Sequence, residues 1–223
     1  MSVRTKHLIG VILAVGAIVT LSAQPALRRY PSIAARAETY AFARHTLVGI
    51  ELLPSDVPNP PMPDVALEDL SVAEAFDVLV AGDPRYEWSE DDGVYNLRPR
   101  PEIMPGSLLD TRVPQFALSE TGVWDVLFAV HRVFDPAFKG HVPASRVNPS
   151  ITEERQRRRE AELARPISMT LSDVTVRHVL NEVVRTHGDI YWRVQYVGSP
   201  ASSSNLLINL NGFDGWQAVA GAR

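Results

Sequence analysis

Residues 69–80 read DLSVAEAFDVLV, and residues 173–184 read DVTVRHVLNEVV. The two stretches are 104 positions apart, and each is followed at the same offset by a tryptophan, Trp88 in the first and Trp192 in the second. In both, a serine or threonine precedes apolar residues at helical intervals. Self-similarity at a fixed spacing is typical of duplicated supersecondary units. The repeat therefore predicts two related units, each built around one amphipathic helix.

The matched positions of the repeat are predicted to be structural. Ser71 and Thr175 begin the two helices as N-caps, and Glu74 completes a capping box in the first. Four further residues at matched positions are expected on the helix faces and strands that fill the cores: Phe76, Leu180, Trp88 and Trp192. For the two tryptophans, the alternative is an exposed aromatic contact with a peptide or a glycan.

Turn and cap residues divide the rest of the chain into helices and strands. The sequence Asp91-Asp92-Gly93 predicts a tight turn between two strands, which gives the first repeat a β-hairpin. Upstream, a helix is expected from Ser32 to Val48, ended by Gly49. Downstream, Ser119 is expected to cap a helix that runs to Val133. Because a two-stranded hairpin is marginally stable alone, each amphipathic helix must cover a small sheet.

These elements predict an α+β fold of two related small units, each an amphipathic helix packed on a three- to four-stranded sheet. Prolines and composition divide the chain into a signal peptide at 1–23, a first unit at 30–100, a proline-rich linker at 101–112, a second unit at 113–212 with a charged helical insertion at 150–165, and a tail at 213–223. The sequence leaves open whether the two units share one sheet.

The first 23 residues predict export. Arg4 and Lys6 precede an uncharged run from Leu8 to Leu21, and small and polar residues follow, which is the order of a signal peptide. The run of 14 residues is shorter than the roughly 20 that a spanning helix needs. We therefore expect a periplasmic or secreted protein. The alternative is an inner-membrane anchor formed by residues 8–21.

Composition excludes several classes of protein. The chain of 223 residues contains no cysteine, so it has neither a disulfide framework nor thiol chemistry. Its 26 acidic residues exceed its 22 basic ones, and removal of a signal peptide with Arg4 and Lys6 increases that excess. A mildly acidic surface argues against nucleic acid as a partner. We expect contact with a membrane only through the N-terminal segment, if that segment is not cleaved.

The order of a strand, a capped helix with a glycine-bearing stop and an aromatic hairpin resembles the short N-terminal (STN-like) domain of secretins and TonB-dependent receptors. The similar segments are about residues 64–98 and 167–210. The motif is Ser or Thr, then Val, with Ala or Val and Phe or Leu following at helical spacing. The resemblance implies a small periplasmic βαβ module that contacts protein partners and carries no catalytic residues. The charged segment 150–165 lies outside the pattern of this family.

The sequence contains no residue pattern that is typical of catalysis or cofactor binding. Its histidines include no pair one helical turn apart, as a helix-borne zinc site needs. Neither a Gly-x-Ser-x-Gly turn nor a glycine-rich phosphate loop occurs. The carboxylates from Glu90 to Asp92 have the chemistry of a general acid and base, but the following Gly93 favours a solvated turn. We therefore expect no catalytic residue, no metal site and no cofactor.

The segment from 150 to 165 is the most charged part of the chain. Its arginines include three candidate interaction residues, Arg155, Arg158 and Arg159. Glu154 lies four positions before Arg158, a spacing that favours ion pairs within a solvated helix. The alternative is a face of that helix that docks a partner.

These observations favour an exported, non-enzymatic protein-interaction module of the bacterial cell envelope, part of a larger secretion- or transport-related assembly. Its expected partner is another envelope protein. The first alternative is a periplasmic small-ligand or glycan-binding protein that uses a groove between the two units. The second is an exported hydrolase with a dispersed site.

Overall fold

The computed structural model describes residues 32–60, 62, 65–139, 157, 161, 164–199, 201–213 and 217–221, the last range as backbone alone. These residues form four helices and eight strands. In chain order they are α1 (Ile33–Arg44), β1 (Val48–Glu51), α2 (Val72–Gly82), β2 (Tyr86–Asp91), β3 (Val94–Pro99), β4 (Arg112–Thr121), α3 (Val123–Phe134), β5 (Ile167–Thr175), α4 (Val176–His187), β6 (Ile190–Tyr196), β7 (Leu206–Gly212) and β8 (Gln217–Gly221). Within the described ranges, no helix is long and apolar enough to cross a membrane. The predicted signal peptide, 1–23, lies outside them.

A six-stranded mixed sheet in the order β2-β3-β1-β6-β7-β8 forms the centre of the molecule. β1 is parallel to β3 on one side and to β6 on the other, and the remaining neighbours are antiparallel. Since β1 and β3 belong to the first predicted unit and β6 to the second, the strands of both units lie in one sheet. β4 and β5 pair separately, as a two-stranded antiparallel ribbon. The predicted α+β class is confirmed, and the two-unit organisation stays a prediction.

Helices cover both faces of this sheet. Trp192 and Arg193 are neighbours in β6, so their side chains point to opposite faces. Trp192 bonds to Asn181 of α4, whereas Arg193 forms an ion pair with Glu38 of α1. α1 and α4 therefore lie on opposite faces. α2 contacts α1, while α3 packs against β7 and β8.

The register of the sheet places the two repeat tryptophans on opposite faces. Trp88 pairs with Leu97, which in turn pairs with Ile50 of β1. Ile50 pairs on its other side with Arg193. Because residues in one row share a face, Trp88 lies on the face of Arg193 and Trp192 on the other.

Gly49 has a different role from the predicted one. α1 ends at Arg44, where His45 forms a left-handed C-cap with φ 49°, so Gly49 does not end the helix. Instead Gly49 lies in β1, paired with Trp192. A Cβ at this position would overlap the indole ring, and glycine is therefore required by the close approach of that ring.

The predicted start of α3 is wrong. Ser119 lies within β4, and the N-cap of α3 is Gly122. The strand continues past Ser119 because its register shifts between Leu118 and Thr121, with Glu120 in the left-handed region at φ 47°. Such a bulge extends the pairing by inserting an extra residue.

The segment predicted as a linker, 101–112, packs into the molecule. Met104 and Leu109 are buried in the core. Leu108–Asp110 forms a short 3-10 turn before β4. The connection between the two predicted units is thus part of their common core.

Candidate functional site

The predicted caps lie at the beginnings of their helices. The Ser71 hydroxyl accepts a hydrogen bond from the N–H of Glu74, whose carboxylate accepts from the N–H of Ser71 at 2.9 Å. Hydrogen bonds from Ser71 lower the pKa of Glu74 below its ordinary 4.5. In the second repeat, the Thr175 hydroxyl accepts from the N–H of His178 at 3.2 Å. These residues fix where α2 and α4 begin.

The predicted core residues differ in how deeply they are buried. Phe76 and Leu180 are fully buried on the inner faces of α2 and α4, and Trp192 is fully buried in β6. Trp88 is half-buried in β2, with its ring centroid 5.9 Å from that of Phe76. Trp192 therefore offers no surface to a glycan, and Trp88 offers part of one face.

Each tryptophan also donates its indole N–H to the helix before it. Trp88 donates to the Asp77 carboxylate at 2.9 Å, and Trp192 donates to the Asn181 amide oxygen at 2.8 Å. These pairs occupy equivalent positions in the two repeats. Asn181 uses its amide N–H₂ as well, donating to Asp91 at 3.0 Å. The hairpin turn of the first repeat is thereby joined to α4 of the second.

The candidate interaction residues Arg155, Arg158 and Arg159 lie outside the described residues. The docking face formed by these arginines therefore stays a prediction.

A cluster of polar side chains around the buried Glu51 occupies the carboxyl end of β1. The Glu51 carboxylate accepts from the Ser107 hydroxyl at 2.5 Å, from the Tyr196 hydroxyl at 3.0 Å and from the Arg177 guanidinium at 2.8 Å. Arg177 also reaches Asp110 at 3.2 Å. We call these five residues the Glu51 cluster. It links β1, β6, the 3-10 turn and the first turn of α4.

The centre of the Glu51 cluster is paired and buried, since Glu51, Arg177 and Tyr196 are buried, while Asp110 lies exposed at its margin. Burial lowers the pKa of Arg177, but Glu51 and Asp110 outweigh that effect and raise it overall. Burial, reinforced by Glu51, raises the pKa of Tyr196 above its ordinary 10. Glu51 itself has no exposed surface, so it meets no substrate and its chemistry is to neutralise Arg177. Sequence reasoning missed this cluster, whose signal is a glutamate inside the apolar run 47–53.

β2 forms one edge of the six-stranded sheet. The N–H of Arg100 donates to the carbonyl of Arg85 at 2.8 Å, so these residues form a hydrogen-bonded pair of the β2–β3 ladder. Because such pairs alternate with non-bonded ones, the backbone groups of Trp88 and Glu90 face away from β3. Ser89 and Glu90 are exposed, and no strand of the described part pairs with this outer side. We call it the β2 edge.

The edges of the β4–β5 ribbon are interrupted, unlike the β2 edge. The N–H of Val176 donates to the carbonyl of Thr111, so these residues form a hydrogen-bonded pair of the β4–β5 ladder. Because bonded and non-bonded pairs alternate, the backbone nitrogen of Pro114 faces away from β5, and this nitrogen carries no hydrogen to donate. On β5, Asp173 takes a left-handed conformation at φ 52°. Proline and backbone irregularity prevent a further strand from pairing. β2 has neither, since its register is unbroken from Tyr86 to Asp91.

A groove of about 420 Å³ runs along α1. Most of its surface is apolar and includes the carbon chains of charged residues. The lining residues come from α1 and the segment before α2: Arg36, Thr39, Tyr40, Ala43, Arg44, Leu67 and Glu68. The Tyr40 hydroxyl donates to the carbonyl of Leu70 at 3.0 Å, and Arg36 donates to the carbonyl of Val65. The groove lies within the first predicted unit rather than between the two.

No group of three or more histidine or acidic side chains in the described residues is arranged to hold a metal ion. No protein-family model, curated protein or solved structure matches the chain. The resemblance to the short N-terminal domain of secretins and TonB-dependent receptors therefore depends on the residues of the repeat, and it stays a prediction.

Proposed function

We propose that the protein is an exported, non-enzymatic module that binds a protein partner of the cell envelope, and that the partner adds a strand at the β2 edge. The observation that carries this proposal is the unpaired, regular backbone of β2. Trp88 and Glu90 each direct an N–H and a C=O outward. An extended segment of another protein satisfies such groups by β-augmentation.

The contrast with the edges of the β4–β5 ribbon supports a use for β2. A regular edge strand exposes a protein to unwanted pairing, so natural sheets interrupt or cover their edges. The β4–β5 ribbon is interrupted at Pro114 and at Asp173. A β2 edge that lacks these interruptions is consistent with an edge that is kept open for a partner.

The titratable groups of the described part also favour binding over catalysis. In the Glu51 cluster, Glu51 and Arg177 are buried and paired with each other, as in a structural network. General acid–base work needs such groups to reach a bound substrate. The proposal therefore assigns the Glu51 cluster to stability and the β2 edge to function.

Site-specific photocrosslinking in the native envelope tests the proposal. A photoreactive amino acid at Ser89 lies on the β2 edge, and one at Gln115 on the interrupted β4 serves as the matched control. We expect an adduct of defined mass from Ser89, none from Gln115, and loss of the Ser89 adduct in a Glu90→Pro variant. An adduct that survives Glu90→Pro, or equal adducts at both positions, would refute the edge as the binding site.

The α1 groove favours a second candidate function, the binding of a small amphipathic carboxylate. Its volume of about 420 Å³ falls in the range of small-molecule sites. Its apolar lining suits a short alkyl chain, and the exposed Arg44 suits a carboxylate. Calorimetry with octanoate tests this candidate. Heat of binding that disappears in Ala43→Trp, which fills the groove, would support it, and absence of heat with the unmodified protein would exclude it.

A further inference from the structure

We infer that the segment that enters at the β2 edge is a strand of a different protein carrying basic side chains; this inference deepens the proposed function and depends on it. The side chains along β2 are strongly acidic. Glu87, Glu90 and Asp91 lie in the strand, and Asp92 follows in the turn. Asp77 of α2 is exposed beside Trp88.

The arginines near this edge already have partners, with Arg100 bonded to the carbonyl of Pro84 and the others facing carboxylates. Arg98 pairs with Glu87 at 2.8 Å, and Arg85 pairs with Asp83 at 2.7 Å. Asp91 accepts from Asn181 and lies 3.5 Å from His178, while Arg185 pairs with Glu182. Glu90, in contrast, is exposed and has no ion pair in the part of the chain that the structure describes. The edge therefore presents uncompensated negative charge to an incoming strand.

The same charges disfavour a second copy of this chain as the occupant. Two copies pairing edge to edge through their outward-facing residues can meet in more than one register. Centred on Ser89, the pairing places Glu87 opposite Asp91 of the second copy, and centred on Glu90 it places that residue opposite itself. Centred on Trp88, it brings no like charges together but leaves Glu90 without an opposite charge. Like charges that face one another across paired strands are destabilising. A heterologous strand avoids this repulsion.

The pleat of β2 defines where the basic residues of the partner lie. Glu87, Ser89 and Asp91 point to one face, and Trp88 and Glu90 to the other. A partner with lysine or arginine at alternate positions can place one of them opposite Glu90. The next basic residue on the same face then lies against the half-buried indole of Trp88, a cation–aromatic contact. The recognised segment is thus extended, with basic residues alternating with apolar or threonine residues.

Fluorescence anisotropy with two labelled peptides tests the charge of the occupant. One peptide alternates lysine with threonine, and the other alternates glutamate with threonine. Both are titrated with the full chain at low salt and again at about 0.3 M salt, where surface charges are screened. We expect binding of the lysine peptide that weakens in salt, and none of the glutamate peptide. Equal binding of both peptides would overturn the inference.

Two substitutions at one residue separate this inference from the proposed function. Glu90→Gln removes charge and keeps the backbone of the edge, so we expect the lysine peptide to bind about threefold more weakly. Glu90→Pro also removes an outward N–H that bonds nothing among the residues that the structure describes, so binding should be lost. Glu102→Gln, at an exposed turn, is the control and should bind as the unmodified protein does. If Glu90→Pro abolishes peptide binding and Glu90→Gln has no effect, the inference of a basic partner is refuted and the β2 edge remains the binding site. If both variants bind the peptide with unchanged affinity, the inference and the proposed function are both refuted.

Discussion

The indole N–H of Trp192 donates to the side-chain oxygen of Asn181 at 2.8 Å inside the core. Trp88 and Asp77 form the same bond, at 2.9 Å, on the opposite face of the sheet. The repeat therefore provides each face with one connection from helix to strand. The acceptors differ because Asn181 must also donate, to Asp91, while the exposed Asp77 need only accept.

This difference predicts opposite results for two isosteric substitutions. Asn181→Asp places a carboxylate at a buried position, within about 3 Å of the partly exposed carboxylate of Asp91. We expect it to reduce the free energy of unfolding by about 3 kcal/mol at pH 7. Asp77→Asn keeps its acceptor and should change that free energy by less than about 0.5 kcal/mol.

Urea unfolding measures both variants. Because a carboxyl whose pKa is raised on folding destabilises the protein only once it ionises, the loss in Asn181→Asp should shrink as pH falls below about 5. Equal losses in the two variants, or a loss that does not depend on pH, would contradict the assignment.

The second prediction concerns the contact between Gly49 and the indole ring of Trp192. Gly49→Ala forces a methyl group into the ring, so we expect a loss of about 3 kcal/mol, the upper part of the range for overpacking. Trp192→Leu removes the ring and should destabilise by a similar amount. In the double variant the clash is gone. The loss of unfolding free energy in the double variant should therefore be smaller than the sum of the losses in the two single variants. Strict additivity in chemical unfolding would show that the ring does not require the glycine.

The third prediction concerns the buried ion pair of Glu51 and Arg177. Arg177→Met leaves an uncompensated buried carboxylate and should cost about 3–5 kcal/mol. Arg177→Met combined with Glu51→Leu replaces the pair by apolar groups and should be more stable than Arg177→Met alone. Arg165→Met, which breaks the exposed pair with Asp189, is the control and should cost less than about 1 kcal/mol. A double variant less stable than the single one would contradict this account.

The fourth prediction is a dependence on alkaline pH. Burial and the nearby Glu51 raise the pKa of Tyr196 above its ordinary 10. The unfolded chain ionises this hydroxyl near pH 10 while the folded protein holds it neutral. Its contribution to stability is therefore complete below about pH 10 and declines as pH rises. The difference in unfolding free energy between the unmodified protein and Tyr196→Phe should narrow above pH 10. A constant difference would show that Tyr196 ionises equally in both states.

Local features of this fold could be predicted from the sequence because they depend on neighbouring residues. The cap at Ser71 needs Glu74 three residues later, and both are present. The turn at Asp92 and Gly93 needs two residues that tolerate positive φ, and they adopt φ 50° and 83°. Apolar periodicity likewise marked Phe76 as a core residue.

The sheet and the Glu51 cluster could not be predicted in this way because their partners are distant in the chain. Nothing near β1 specifies that it lies between strands of both units. Glu51 and Arg177 are 126 positions apart, and neither has a spacing or motif that names the other. Gly49 shows why local sequence is insufficient. A glycine after a helical run indicates the end of a helix, but this glycine is required by the indole ring of Trp192, which is distant in the chain.

Amide hydrogen exchange along β2 is the most direct test of the central claim, that a partner pairs with the β2 edge. The protein is measured alone and as isolated with its crosslinked envelope partner. We predict that the outward-facing amides of Trp88 and Glu90 exchange rapidly in the free protein and become protected in the complex, while that of Gln115 is unchanged. Rapid exchange at Trp88 and Glu90 in the complex, or recovery of the protein from the envelope as a free monomer, would contradict the account.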